Sequence, residues 1–138
     1  LYINSKHIAM KLADYGMVPN KSLVLQFPRW LDKKLIPHFL RGYFDGDGSI
    51  NKSGNGVQCS IVSSEYFCDT LSIILKDMNI HHTIKESTKT GRTKTVVIST
   101  QSDVKTFLDW IYKDATIYLE RKHKRYVDYY ELDNSLSA

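Results

Sequence analysis

Pro37-His38-Phe39-Leu40-Arg41-Gly42-Tyr43-Phe44-Asp45-Gly46-Asp47-Gly48 decides the fold. Proline suits the first turn of a helix, where its missing N–H has no intrahelical partner to lose. Phe39, Leu40, Tyr43 and Phe44 follow at helical spacing. Gly42 and Gly46 share one face. Each glycine in a helix interior costs about 1 kcal/mol relative to alanine, and close approach of a second backbone is a reason to keep two. Gly48 is free to take a left-handed cap. The aspartates fall at the helix C-terminus, the negative end of the macrodipole. That is unfavourable unless one carboxylate turns to bond backbone or a cation reverses the local sign. Two such helices packed at their glycines would cluster their carboxylates around a shared metal site.

Simpler accounts of the acidic end are available. Asp45-Gly46-Asp47-Gly48-Ser49 could open an EF-hand loop, which needs Gly at its sixth position and Glu at its twelfth. Those positions hold Ile50 and Gly56, which sets calcium aside. A plain Asp/Gly turn after a helix is the stronger alternative.

The chain has 138 residues, one domain or slightly more. Its 42% apolar content supports an ordinary core. No run of about 18 apolar residues suggests a membrane span, and no signal peptide is visible. Leu1 in place of Met is what a trimmed or processed chain would show. Cys59 and Cys68 match neither metal-binding spacing nor a disulfide framework, so buried free thiols in a reducing, intracellular setting are expected. The five histidines make no zinc pattern with them. A net charge of +4 is compatible with nucleic acid, but its weight depends on where the cations fall.

Upstream, Ser5 is a helix N-cap and Gly16 its stop, with Ile8, Leu12 and Tyr15 at helical spacing. Met17 to Pro28 reads as a turn and an extended arm. Downstream, Ser49–Lys52 and Val57–Val62 flank a glycine-rich turn and read as a hairpin. Ile50, Val57, Cys59 and Ile61 alternate onto one face; Asn51, Gln58 and Ser60 point elsewhere, to solvent or nucleic acid. Ser63 or Ser64 caps the next helix, which carries Phe67, Leu71, Ile74, Leu75 and Met78 as its apolar stripe and ends at Asn79.

A second hairpin, His82 to Lys89 and Thr93 to Thr100, crowds Lys85, Lys89, Arg92 and Lys94 around its turn. A charged hairpin is usually a solvated edge, yet these cations also suit a ribbon laid in a major groove. Ser102 can cap a third helix, and Ile117 to Leu132 forms a last one. There Arg121, Lys122, Lys124 and Arg125 suggest phosphate contact, against a solvated face with pairs such as Lys124 with Asp128. The order is helix, hairpin, helix, hairpin, helix, helix. It predicts an α+β fold, a four-stranded antiparallel sheet with helices packed on one face.

The run Leu40-Arg41-Gly42-Tyr43-Phe44-Asp45-Gly46-Asp47-Gly48 resembles the LAGLIDADG motif at the first Leu, the Gly, both Asp and the final Gly. The chain is thereby similar to the LAGLIDADG homing endonucleases, including the endonuclease domains of inteins. The resemblance implies an αββαββα unit over residues 36–132, with a saddle-shaped sheet that grips double-stranded DNA. Residues 133–138 are a frayed tail. Residues 1–35 are the tail of a preceding repeat or an N-terminal extension, since Leu1 to Pro28 resembles the segment that joins two repeats in the family.

The resemblance also assigns roles. It implies hydrolysis of phosphodiesters with Mg²⁺, held by Asp47 with Asp45 beside it, and metal activation of the attacking water. Lys122, or Arg121 if the alignment shifts by one, is the basic residue near the active site. A glutamine common in the family after the second strand is replaced here by Ser63 or Ser64. Asn51, Lys52, Gln58, Lys85, Lys89, Arg92, Lys94, Arg121, Lys124 and Arg125 are the candidate DNA contacts. Gly42 and Gly46 are the candidate helix interface. One motif supplies half a site, so a second repeat is required, either a homodimer mate or an upstream half. The alternatives are a non-catalytic DNA-binding regulator or RNA maturase on the same scaffold, and a general α+β interaction domain.

Overall fold

The structure, a computed structural model, describes residues 5–17, 23–86 and 92–136, with side chains of the final helix described to Tyr129. Residues 1–4, Lys21-Ser22 and the segment holding Lys89 and the Thr90-Gly91 turn lie outside the described residues.

α1 spans Lys6–Asp14. Ser5 caps it as expected, accepting the Ile8 N–H at 3.4 Å. Gly16 takes φ +83°, and the N–H groups of Gly16 and Met17 return to the carbonyls of Ala13 and Leu12, a Schellman stop that glycine makes without strain. An extended arm and a single 3-10 turn, Lys33–Leu35, lead into α2, Ile36–Asp47.

α2 buries Leu40 and Phe44. Gly48 is extended, with φ −79° and ψ 167°, and opens β1 directly. It is not the left-handed cap expected of it. A Cβ there would overlap the Phe44 ring, so the glycine serves close approach of backbone to side chain.

β1, Gly48–Ser53, and β2, Gly56–Ser64, form the first hairpin. α3, Glu65–Asp77, follows, capped by Ser64, which accepts the Phe67 N–H at 3.2 Å. Asn79 ends it at φ 56°. β3, Thr83–Glu86, and β4, Thr93–Ile98, pair next, and α4, Gln101–Tyr112, and α5, Glu120–Leu136, close the chain. Ser102 lies inside α4 and is not its cap; Thr100 holds that position without a side-chain bond. α5 begins three residues later than expected, and its backbone runs on into the segment expected as a tail.

The sheet order is β1-β2-β4-β3, antiparallel throughout, so αββαββα describes α2 to α4. Register divides its faces. Ile50 opposes Cys59, which opposes Ile98; Ile61 opposes Val96. These five are buried and join Leu40, Phe44, Phe67, Leu71, Leu75, Phe107 and Leu108 in one core. Each such side chain contributes about 1.5–3 kcal/mol by leaving water. Cys59 and Cys68 are buried free thiols, as expected, and burial pushes them up to about 12 and about 11. No described helix is long and apolar enough to cross a membrane.

Candidate active site

The C-terminus of α2 meets the N-terminus of α5. Asp45 turns to backbone and ring: its Oδ2 accepts the Leu119 N–H at 2.8 Å and its Oδ1 accepts the Tyr112 hydroxyl at 2.5 Å. A carboxylate at the positive end of α5 offsets its misplacement at the negative end of α2. Burial, then the bond to Asp45, hold the Tyr112 phenol well above its ordinary range. Arg41 braces the same connection, donating to Ile111 O at 3.0 Å and Ile117 O at 2.9 Å.

Lys122 answers from α5. Its Nζ donates to the carbonyls of Phe44 at 2.5 Å, Asp45 at 2.8 Å and Gly48 at 2.5 Å. The residue is only 7% exposed, and the ammonium lies 5.3 Å from the Phe44 ring centre. An ammonium has three N–H groups, and here they reach two carbonyls in the last turn of α2, those of Phe44 and Asp45, and the Gly48 carbonyl that opens β1. Its ammonium is thus engaged by backbone carbonyls, where a part near water or phosphate was expected. Burial lowers its pKa, opposed by the charges of Asp45 and Asp47.

Asp47 differs from Asp45. It is exposed and, among the described residues, has no hydrogen-bond or ion-pair partner. It lines a small hollow with Tyr43, Val62, Ser63 and Thr93. Tyr43 donates to Ser63 Oγ at 2.8 Å, and burial first, Asp47's charge later, raises the Tyr43 phenol. Of the two serines at the glutamine position, Ser63 faces this hollow and Ser64 is spent on the cap of α3. No group of three His, Cys, Asp or Glu is gathered among the described residues. Asp47 fits Mg²⁺ as a single hard oxygen donor, which suits an ion that takes one or two carboxylates and completes its shell with water and phosphate.

Gly42 and Gly46 are exposed, and a Cβ on either would meet nothing within 4 Å. α2 therefore presents a bare face beside its acidic end.

The sheet face away from the core is polar. By register it carries Ser49, Ser60, Val97 and Thr83 in one row, Val62, Thr95 and Lys85 in a second, and Asn51 opposite Gln58. Ser49 and Ser60 hydroxyls pair at 2.7 Å, and Asn51 Nδ2 donates to Ser49 at 3.1 Å. Asn51, Gln58 and Lys85 share this face, which was expected to meet either solvent or nucleic acid. Arg92 is exposed just before β4, and Arg121 is exposed on α5.

Four expected DNA contacts are placed otherwise. Lys94 opposes Ser63 on the helix side and bonds Glu65 at 2.8 Å and Asp69 at 3.1 Å. Lys52 opposes Val57 and lines a hollow with Arg125 and Tyr129. Arg125 donates to Ile50 O at 2.6 Å. Lys124 pairs with Asp128 at 2.9 Å, the i,i+4 alternative. Arg41 and Tyr112, which hold the site together, were not expected from the sequence.

A family model described as a LAGLIDADG-like domain matches residues 35–112, more than half of the chain, and the chain belongs to that family. Part of the DNA-directed RNA polymerase subunit Rpo1C of Methanocaldococcus jannaschii is 32% identical over 87 residues, which are 63% of this chain and 10% of that protein. Part of the Replication factor C small subunit of the same organism is 29% identical over 113 residues, 79% of this chain and 6% of that protein. The chain thus spans a tenth or less of these curated relatives.

The fold is that of solved homing endonucleases. The group I intron-encoded homing endonuclease I-CeuI, complexed with DNA, superposes with TM-score 0.56 at 16% identity, over 72% of this chain and 55% of that one. The archaeal intron-encoded homing endonuclease I-Vdi141I, also with DNA, gives 0.52 at 18% identity, over 77% and 71%.

Proposed function

We propose that this domain is half of a site-specific double-stranded DNA endonuclease, and that Asp47 is the metal-holding carboxylate of its half-site. The exposed Asp47, without a side-chain partner among the described residues, carries this reading: Arg41, Asp45, Tyr112 and Lys122 at the α2–α5 junction are committed to structure, and Asp47 is left beside an open polar sheet. Asp45 is a positioning residue and leaves the metal ligand set. Bound Mg²⁺ would neutralise phosphate charge and make water a better nucleophile at neutral pH. Asn51 and Gln58 supply amides of the kind that bond adenine bidentately, and Lys85 supplies a phosphate contact. A second α2-type helix packed on Gly42 and Gly46 would bring a second acid to the site.

The curated relatives support an origin by insertion. One similar segment forms a small part of an RNA polymerase subunit and another a small part of a replication factor subunit. A module shared by two differently named proteins is what a mobile insertion such as an intein leaves behind.

The test is Asp47→Asn in the two-repeat assembly, with a target selected from a randomised DNA library. Cleavage is lost while salt-dependent binding in a gel shift is kept. Retained cleavage would sink the assignment, and binding without metal-dependent cleavage by the unaltered assembly would favour a regulator.

A further inference from the structure

β2 outruns one of its neighbours. Its pairing with β4 stops at Cys59 opposite Ile98, while its pairing with β1 runs on to Gly56 opposite Ser53. In register, Val57 would next meet Thr100, but Thr100 is already the N-cap of α4. The far half of the first hairpin, which holds Asn51 opposite Gln58 on the outer face, therefore projects beyond β4. The flank of β2 that faced β4 has no strand to pair with there, which leaves backbone groups to be satisfied in another way.

Gln101, the first residue of α4, fills that place with its side chain. Its Oε1 accepts the Val57 N–H at 3.0 Å, and its Nε2 donates to Val57 O at 3.1 Å and to Ser99 O at 2.9 Å. Taking both the N–H and the C=O of one residue is what the opposite residue does in a hydrogen-bonded antiparallel pair. The carboxamide thus extends β4 by one position, and it grips the residue next to Gln58. Gly56 makes room for it, since a Cβ there would overlap the Gln101 carboxamide. The other flank of the hairpin is braced as well: β1 is an edge strand, and Arg125 donates to its Ile50 carbonyl at 2.6 Å. Tyr129 of α5 links the two braces by donating to Gln101 O at 3.2 Å.

We propose that Gln101 is a specificity-determining positioning residue: it fixes the tilt of the first hairpin, so that Asn51 and Gln58 present their amides to base edges at one angle. Given the reading of the outer sheet face as a DNA surface, on which this rests, Gln101 acts through Val57 and not on a base. The need is directional. A base is discriminated by a side-chain fork held in register with its edge, and a two-stranded ribbon twists more than strands held in a wider sheet. Phosphate contacts, such as that of Lys85, carry no sequence information and tolerate the motion. Loss of the Gln101 grip therefore relaxes base preference and leaves non-specific affinity in place.

The test compares the 138-residue chain with its Gln101→Met and Gln58→Ala variants. Methionine keeps the side-chain length and loses the bonds. Amide exchange followed by NMR finds the Val57 N–H of Gln101→Met exchanging about tenfold faster, relative to that of buried Leu71, the loss that one or two ordinary hydrogen bonds account for. Duplexes enriched from a randomised library give the base preference, and gel shifts on an unselected duplex give the non-specific affinity. Gln101→Met flattens the preference about fivefold or more at the positions that Gln58→Ala flattens, while non-specific affinity changes by less than about twofold. Gly56→Ala, which evicts the carboxamide from the other side, flattens the same positions. An unchanged Val57 exchange rate overturns the proposal. So does a preference that Gln58→Ala moves and Gln101→Met does not; Gln101 is then a stability residue only, and the DNA reading stands. If neither variant moves the preference, or the unaltered chain enriches no sequence, the DNA reading of this face falls and takes the proposal with it.

Discussion

Lys122 Nζ lies 2.8 Å from the carbonyl oxygen of Asp45, while the Asp45 carboxylate holds the N–H of Leu119 three residues before Lys122. Each helix end is closed by the other helix. The negative end of α2 receives an ammonium and the positive end of α5 receives a carboxylate, so both macrodipoles are met with opposite charge. This exchange is what permits two aspartates at the end of α2. One is absorbed, and the other is held in place with nothing to bind.

Lys122→Met removes a donor from three carbonyls in a site that water reaches poorly; Phe44 O keeps the Gly48 N–H, while those of Asp45 and Gly48 lose the ammonium. It should cost about 3 kcal/mol, since an unsatisfied buried polar group costs roughly 1–3 kcal/mol and some of the three will find water. Lys122→Arg should not restore the loss, because a planar guanidinium cannot replace a compact ammonium at three converging oxygens. Asp45→Asn keeps one acceptor and should cost only about 1 kcal/mol. Urea denaturation of the chain measures all three. A cost for Lys122→Met below about 0.5 kcal/mol, the range of an ordinary surface change, would show that the carbonyls are satisfied in another way.

Gly42→Ala separates the fold from its assembly. Nothing lies within 4 Å of a Cβ at Gly42, so the isolated chain should gain about 1 kcal/mol from helix propensity alone. In the two-repeat enzyme the same methyl group stands between two helices and should lower cleavage. Opposite signs in the two measurements identify the bare face as an interface. A gain in both would show that no helix approaches it closely.

The fold was legible because its periodicities are local. Alternation in 57–61 separates Cys59 and Ile61 from Gln58 and Ser60 without knowledge of the rest, whereas Asp47 is singled out only by resemblance to the family motif. The cations were harder, because a charge's partner is set by tertiary contact. Lys94 looks like a groove contact, yet it shares strand parity with Val96 and Ile98, and that parity turns it toward the acids at the start of α3. The basic run at 121–125 looks like a phosphate face, yet Lys122 shares a helix face with Tyr126 and Tyr129. That i, i+4, i+7 pattern was the available signal that Lys122 points inward. The partners of Arg41 lie about 70 positions away; no local pattern announces them.

Alkaline pH should loosen the same corner. Burial, then a bond to Asp109 at 3.1 Å, pushes the Tyr126 phenol up to about 12 from an ordinary 10.0. Tyr112, bonded to Asp45, is raised as well. A group whose pKa is higher in the folded state binds its proton more tightly there, so its contribution is complete below the unfolded pKa. It is lost as pH climbs through the folded pKa. Stability should therefore begin to fall near pH 9, where the thiols of Cys59 and Cys68 ionise in the unfolded chain, and fall more steeply from about pH 10 toward pH 12, as ionised phenols face the carboxylates that accepted their protons. Tyr126→Phe removes one of the titrating groups. It should lower stability at pH 8 by about 1.5 kcal/mol, the lower end of the range for a bond to a charged acceptor, and flatten the decline above pH 10. Guanidinium denaturation at a series of pH values tests this. An unchanged slope in Tyr126→Phe would mean that another group carries the alkaline transition.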